Sequence, residues 1–434
     1  MDRPHSFRLL AAALLLSPLC ANAALDWPQF RGPDANGISS AKNLPLEWSA
    51  TKGVAWSVEI PGKGWSSPVL ADGKIYLTSA VSDAAGEVGL HALCLEQSTG
   101  ALLWDREVFR PEPGDASAMH RKNTAASPTP IVAGGKVYVH FGHMGTAALD
   151  LQGTVLWRQT SLKYKPVHGT GGSPLLLGDS LIFGADGQKD PFIAALNAGT
   201  GEVRWQKPRN TAAKKQFSFS TPAAIQVGGV QQVISPYSGF VAAYNPADGA
   251  ELWKVAYGEG YSVVPRPVYA HGLLYLSSGF DSAALYAIRP EGAVGDASAS
   301  AVAWTLKKGA PHTPSVVVVG ATLFCVSDAG IASCVDALTG EVHWSERLAG
   351  NFSASPVAAG ERVYFLNEAG VTSVVKADPN SHCWPPTNWG NAPWLPPPPR
   401  RVPCSSGARP TCLSWCPKRP SISLPPCPPV SVRR

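Results

Sequence analysis

The sequence predicts an all-β protein, a β-propeller of four-stranded blades, and two recurring elements predict it. The first is a Gly followed four residues later by a Trp: "GALLW" at 100–104, "GTVLW" at 153–157, "GEVRW" at 201–205, "GAELW" at 249–253 and "GEVHW" at 340–344. Looser copies are "GVAW" ending at Trp56 and "AVAW" ending at Trp304. These seven tryptophans recur 40 to 53 residues apart, a period that marks a repeat architecture. The second element is a small residue and Pro before an apolar run: "SSPVL" at 66, "ASPTPIV" at 126, "GSPLLL" at 172, "STPAAI" at 220, "VVPRPV" at 263, "HTPSVVVV" at 312 and "ASPVAA" at 354. Composition agrees, with 42 Gly, 14 Trp and only 15% charged residues, which suits strands and tight turns.

Each unit reads as four short strands. The Pro-led run comes first. A Gly or Asp turn leads into an aromatic strand such as "KIYLTS", "KVYVHF" or "LLYLSS". A third apolar run such as "IAALN" follows, then a turn and the Trp strand. A four-stranded sheet of this size cannot bury its own faces. Radial stacking buries both and leaves only short edges. The Gly supplies a positive φ in the turn, and the Trp is a large apolar wedge between neighbouring blades.

The regions in order are as follows. Residues 1–23 read as a secretory signal: Arg3 and Arg8, the apolar run "LLAAALLLSPL", then Ala21-Asn22-Ala23 with cleavage expected after Ala23. The protein is therefore expected to be periplasmic or secreted, with no transmembrane segment. Residues 24–53 form an N-terminal extension, 54–378 the propeller and 379–434 a disordered Pro/Cys-rich tail. Setting aside Arg3, Arg8, Asp2 and the seven basic residues after Asp378 leaves 27 basic against 30 acidic residues. That balance excludes a nucleic-acid surface. Two stretches break the rhythm, 105–123 ("DREVFRPEPGDASAMHRKN") and 289–300 ("RPEGAVGDASAS"), and read as protruding surface loops.

The strand ending "TGEVxW", with "SPV", "VYV" and "ALD" in the unit, resembles the pyrroloquinoline-quinone-type (PQQ) repeat. That family builds the eight-bladed propellers of quinoprotein dehydrogenases and the non-catalytic BamB-type propellers of outer-membrane protein assembly. The resemblance covers about 54–377, with seven units intact and the last blade lost. "WPQFRGPDANGIS" at 27–39 is similar to the N-terminus of exported propellers of this type. A quinoprotein would imply PQQ and calcium in the channel, a Trp and a disulfide of adjacent cysteines around the quinone, and an Asp base. The chain has no adjacent cysteine pair, no C-x-x-C-H haem site and no calcium-loop spacing. No cofactor is therefore expected, and no catalytic or metal residues are assigned. The leading expectation is a non-catalytic exported propeller, a monomer that binds a protein or an envelope polymer. The alternatives are a PQQ-dependent oxidoreductase and a secreted carbohydrate-binding propeller. His140 and His143 in "VHFGHMG" are spaced so that they flank a turn and do not share a strand face.

In a propeller, partners bind at the mouth of the central channel. The residues just before each Pro-led inner strand are best placed for this: Trp65, Asn123, His168, Phe217, Tyr261, Arg266, His312 and Asn351. Arg266 and His312 are the expected polar anchors. In "FCVSDAGIASCV", a hairpin with Ala329-Gly330 at its tip pairs Cys325 directly with Cys334, close enough for a disulfide.

After Ala377 a Trp-type strand is due. Instead the text turns Pro-rich, carries five of the nine cysteines and has no acidic residue after Asp378. A polyproline ligand or a metal tail would have this composition, but the Cys spacing matches no zinc pattern. A shifted reading frame is the stronger expectation. Joining the last base of each codon to the first two of the next forces Leu across Asn388–Trp389 and Gly across Trp389–Gly390. One allowed continuation, "LGERPMAS…GALFL", restores the grammar of 354–366.

Overall fold

The computed structural model describes residues 26–42, 44–49, 51–112, 114–116, 119–281, 283–380 and 421–423. The expected signal peptide, its cleavage after Ala23 and most of the tail with its reading-frame question lie outside the described residues. Among the described residues no helix is long and apolar enough to cross a membrane.

Six complete blades follow one another, each an antiparallel meander of consecutive strands. They start at the inner strands Val69–Ala71, Ile131–Ala133, Leu175–Leu177, Ala223–Val227, Val268–Ala270 and Val317–Val319. Each ends on the strand that carries the repeat Trp: Leu102–Phe109, Val155–Gln159, Val203–Pro208, Glu251–Ala256, Val302–Leu306 and Val342–Arg347. The seventh blade has three strands of its own, Val357–Ala359, Arg362–Leu366 and Thr372–Lys376. Inner strands of neighbouring blades touch one another, which places them around the central axis.

The Gly-Trp repeat works between blades as well as within them. The Trp157 ring lies against Gly201 of the next blade, where φ is +79° and an added Cβ would meet Cε3 of the indole at 2.6 Å. Gly100, Gly153, Gly249 and Gly340 meet Trp56, Trp104, Trp205 and Trp304 in the same way. Each of these indoles also donates to a carbonyl in that next turn. The pairs are Trp56 to Gln97 O (3.0 Å), Trp104 to Leu151 O (3.0 Å), Trp157 to Ala198 O (3.1 Å), Trp205 to Pro246 O (3.0 Å) and Trp304 to Ala337 O (3.0 Å). By position the acceptor for Trp344 would be the carbonyl of Pro379, the residue after Asp378. Trp344 Nε1 is instead buried without a partner. The inter-blade bond is thus missing at two blades: Trp344 lacks its acceptor where the repeat text stops, and Trp253 donates to Gln232 Oε1 of its own blade (2.9 Å). Among the described residues, the short strand Ser57–Glu59, after Trp56, pairs only with Ser421–Ser423.

A second device binds the blades near the axis. At the residue around each inner-strand Pro, a backbone N–H donates to a hydroxyl of the following blade. The bonds are Ser67 to Thr129 (3.0 Å), Thr129 to Ser173 (2.9 Å), Ser173 to Thr221 (2.9 Å), Arg266 to Ser315 (2.8 Å) and Ser315 to Ser355 (2.9 Å). Six of the seven positions carry Ser or Thr, and Arg266 is the exception.

The N-terminal extension crosses the axis and ties the two ends of the ring. Trp27 bridges Leu70 of the first blade, and Pro28 O accepts from Val132 of the second. Arg31 donates to Val316 O (2.6 Å) and Pro356 O (3.2 Å) in the sixth and seventh. Ile38–Ser39 then runs parallel to Val357–Ala359 as a fourth strand on the axial edge.

The two expected surface loops behave differently from that reading. Residues 105–109 continue the outer strand of the first blade. Gly295–Asp296 adds a parallel fifth strand to the fourth blade, against Trp253–Lys254, which helps to bury Trp253 completely. The expected Cys325–Cys334 bridge is also corrected. Ser327 N donates to Ile331 O, so the tip holds three residues rather than two. That extra residue slips the register by one, pairing Cys325 with Ser333 and Phe324 with Cys334. The two thiols then face opposite sides of the sheet. Both are free and buried.

Candidate functional site: the channel mouth

The inner strands begin below a set of extended segments, and these carry most of the expected mouth residues. The structure brings six rings from five consecutive blades into one arc. His120 lies 5.2 Å from His168, His168 5.5 Å from Phe217, and Phe217 5.4 Å from Tyr261. Tyr261 lies 6.3 Å from Phe280, and Phe280 4.8 Å from His312. The rings are tilted or edge-on, the arrangement aromatic quadrupoles favour. His168 is exposed and holds φ +65°, which swings its ring over the mouth. Phe217 is buried at the centre of the arc.

Four of the eight residues expected at the mouth, His168, Phe217, Tyr261 and His312, belong to this arc. Trp65 is 58% exposed and stands apart from it. Asn123 is spent on structure: Nδ2 donates to His168 O (2.9 Å), and Oδ1 accepts from Thr124 N and Ser127 Oγ. Asn351 is exposed, and its carbonyl accepts from Glu368 N. Arg266 is a correction. It belongs to the Ser/Thr column of the inner strands, is 2% exposed, and donates Nη1 to Phe30 O of the N-terminal extension (2.8 Å). It anchors that segment and does not face the mouth.

His120 and Phe280 were not expected there. His120 ends the irregular 105–123 stretch, folded back so that its N–H reaches His168 O. Phe280 sits on a turn between the second and third strands of its blade, where sequence spacing carries no positional signal. Ion pairs flank the arc. Lys122 Nζ reaches Glu368 Oε1 at 2.5 Å, and Ser353 Oγ donates to the same oxygen, so the stretch before the second blade is tied to the seventh. Lys215 Nζ contacts Asp281 (3.0 Å) and the Tyr261 hydroxyl (2.9 Å) and sits 4.0 Å from the centre of that ring. The His120 imidazole is held below the usual range by burial and then by the charge of His168. Its Nδ1 accepts from Lys122 N (3.3 Å), so the ring offers a partner its face and the Nε2 edge.

Behind the mouth is a small recess lined by Thr170, Gly171, Gly172, Asp186 and Ser218. Its carboxylate is not free. Both Asp186 oxygens accept from Arg209 Nη1, at 2.7 and 2.8 Å, while Nη2 donates to Ser235 and Pro236. Burial pushes the Asp186 carboxyl up, to about 6, against the pull of Arg209.

His140 ends the strand Lys136–His140 and His143 lies within the short 3-10 turn Gly142–Met144, so the two do not flank the turn as expected, although they share no strand face. His140 is buried against Phe183, its Nδ1 is 2.8 Å from Thr146 Oγ1, and burial, then the charge of His143, lowers its pKa to about 3. A folded pKa below the unfolded value of about 6.5 means the contribution is complete above pH 6.5. It is lost as pH falls from there towards 3. Urea unfolding will show stability dropping by about 2 kcal/mol between pH 7 and pH 5 from this residue, and His140→Asn will flatten that slope.

Among the described residues no group of three or more His, Cys, Asp or Glu is placed to hold a metal ion. A family model described as outer membrane protein assembly factor BamB matches residues 49–292 and 237–384. No curated protein sequence matches the chain. Several solved structures are similar at low identity. The crystal structure of BamB from Moraxella catarrhalis shares 14% identity over 74% of this chain and 96% of that one, with a TM-score of 0.49. Quinohemoprotein alcohol dehydrogenase from Comamonas testosteroni shares 15% over 81% and 78%, with a TM-score of 0.46. A europium-containing methanol dehydrogenase shares 12% over 81% and 89%, with a TM-score of 0.47. These likenesses assign no activity, whereas the family model spans most of the repeats seen in the structure. The chain belongs to the BamB-like family of PQQ-repeat propellers.

Proposed function

We propose that the protein is a non-catalytic exported propeller that binds a protein partner at its channel mouth. The observation that carries this reading is the arc from His120 to His312, six rings from five blades set among the Lys122–Glu368 and Lys215–Asp281 pairs. Clustered aromatic rings bordered by charged groups are the composition of protein-binding hot spots and their rims. The family model's description, an outer-membrane assembly factor, supports a protein partner and a periplasmic or secreted location.

Quinone oxidation is the weaker reading because the residues present do not fit the group. The chain has no adjacent cysteine pair to stack on a quinone. Trp27 to Ser39 cross the axis at the level of the inner strands. No carboxylate cluster for calcium stands among the described residues.

A photo-crosslinking residue at position 168, placed in the producing cell, tests the proposal. The expected result is an adduct with one discrete protein that is lost in a Phe217→Ala, Tyr261→Ala double variant and kept in Arg204→Ala on the outer strand. An adduct indifferent to the mouth variants refutes the binding site. Dye reduction by the purified protein after addition of PQQ and calcium would replace this reading with the oxidoreductase.

A further inference from the structure

Three arginines are buried among the described residues, and they are treated differently. Arg209 binds both oxygens of the Asp186 carboxylate through Nη1. Arg31 and Arg266, 4% and 2% exposed, have no carboxylate within ion-pair reach among the described residues. The two lie together. Arg266 Nη1 donates to the carbonyl of Phe30, the residue before Arg31. Arg266 N–H is bonded to Ser315 Oγ, while Arg31 Nη2 is bonded to the adjacent Val316 O. Arg31 spends both Nη groups on backbone carbonyls and Arg266 spends its Nη1, and each leaves its Nε–H buried with no acceptor, as Arg209 also does.

Two like charges buried side by side are costly unless they are compensated. Carbonyl dipoles compensate only part of a full charge. Burial depresses both guanidiniums, Arg266 to about 10 and Arg31 to about 9, the latter also through the charge of Arg266. Both therefore remain protonated at neutral pH. The sequence holds little to offset them elsewhere: no acidic side chain follows Asp378, and only Asp2 precedes residue 26. Arg266 also occupies a column that is Ser or Thr in the six other blades, where a hydroxyl would suffice for the inter-blade bond.

We propose that Arg31 and Arg266 hold a small oxyanion, a carboxylate or an inorganic phosphate or sulfate, at the propeller axis beneath the channel mouth. Planar guanidinium forks match oxyanions geometrically, and the two idle Nε–H groups supply the donors. The site is distinct from the aromatic arc, and its ligand links the N-terminal extension to the fifth and sixth blades.

The test is stoichiometric and uses the whole protein. Protein exchanged into fluoride buffer at fixed ionic strength is dialysed against labelled sulfate or phosphate. A parallel sample is denatured, and released anions are identified by ion chromatography. One equivalent of oxyanion per chain is expected in one assay or the other, with a saturable rise in Tm of about 2–4 °C on addition. Competition by acetate but not by phosphate identifies a carboxylate ligand; the reverse identifies the inorganic ion. Arg266→Gln keeps a donor for Phe30 O but removes the charge, and it abolishes both binding and the Tm rise. Equal uptake by the variant and the wild type, or no oxyanion in either wild-type assay, overturns the site. The wild-type stoichiometry decides the matter if the variant does not fold.

Discussion

Asp186→Ala will lower the stability of the fold by about 3–5 kcal/mol, measured as a fall in the urea midpoint with an unchanged m-value. Arg209 has no exposed side-chain surface, and the Asp186 side chain is 4% exposed. Arg209 is also packed 4.7 Å over the Tyr237 ring, which leaves it nowhere to turn for water. Removing the carboxylate therefore strands a charge between the third and fourth blades. Removing both charges is a different event. An Asp186→Leu, Arg209→Met double variant will be less destabilised than Asp186→Ala, because apolar residues avoid the desolvation cost that the pair only offsets. If the double variant equals the sum of its singles, the two groups are not coupled and this account fails.

Trp205→Ala will cost a similar amount, about 3–5 kcal/mol, for another reason. The indole is 7% exposed and fills the gap against Gly249 of the next blade. Alanine leaves a cavity that the rigid ring of blades cannot close. Conservative substitution separates packing from the hydrogen bond. Trp205→Phe forfeits the bond to Pro246 O (3.0 Å) and will lose about 1 kcal/mol more than the packing change alone. Trp344→Phe gives up an N–H that has no partner and will show no such increment. Equal hydrogen-bond losses at the two positions would mean that Trp344 has an acceptor in solution. The next blade would then be present in some form.

These contrasts also show what could be read from the sequence. The propeller was legible because wedge, turn and Pro-led strand recur at one period, and each has a single structural use. His168, Phe217, Tyr261 and His312 were legible as mouth residues because they lie five to seven residues before the inner strands that begin at Leu175, Ala223, Val268 and Val317. Arg266 lies only two residues before Val268, at the Pro-flanking position itself, where it meets Phe30 of the N-terminal extension. The Cys325–Cys334 pairing turned on one residue of turn length, which composition does not specify. His120 and Phe280 come from connections of irregular length, and no repeat predicts where those fold. The seat of Trp27 to Ser39 was illegible for a different reason. Its acceptors lie in the sixth and seventh blades, and no local pattern encodes a partner so far away.

That separation has a consequence for how the molecule comes into being. Arg31 bonds to residues 285 and 325 positions later in the chain. The N-terminal extension is thus made long before the partners that satisfy it. Contacts of such range pay their loop-closure entropy before they return anything. Early blades must stand with open strand edges until the seventh arrives, a state prone to mispairing between chains. A chain interrupted before residue 316 keeps the bonds between neighbouring blades but lacks both acceptors that Arg31 uses in the sixth and seventh.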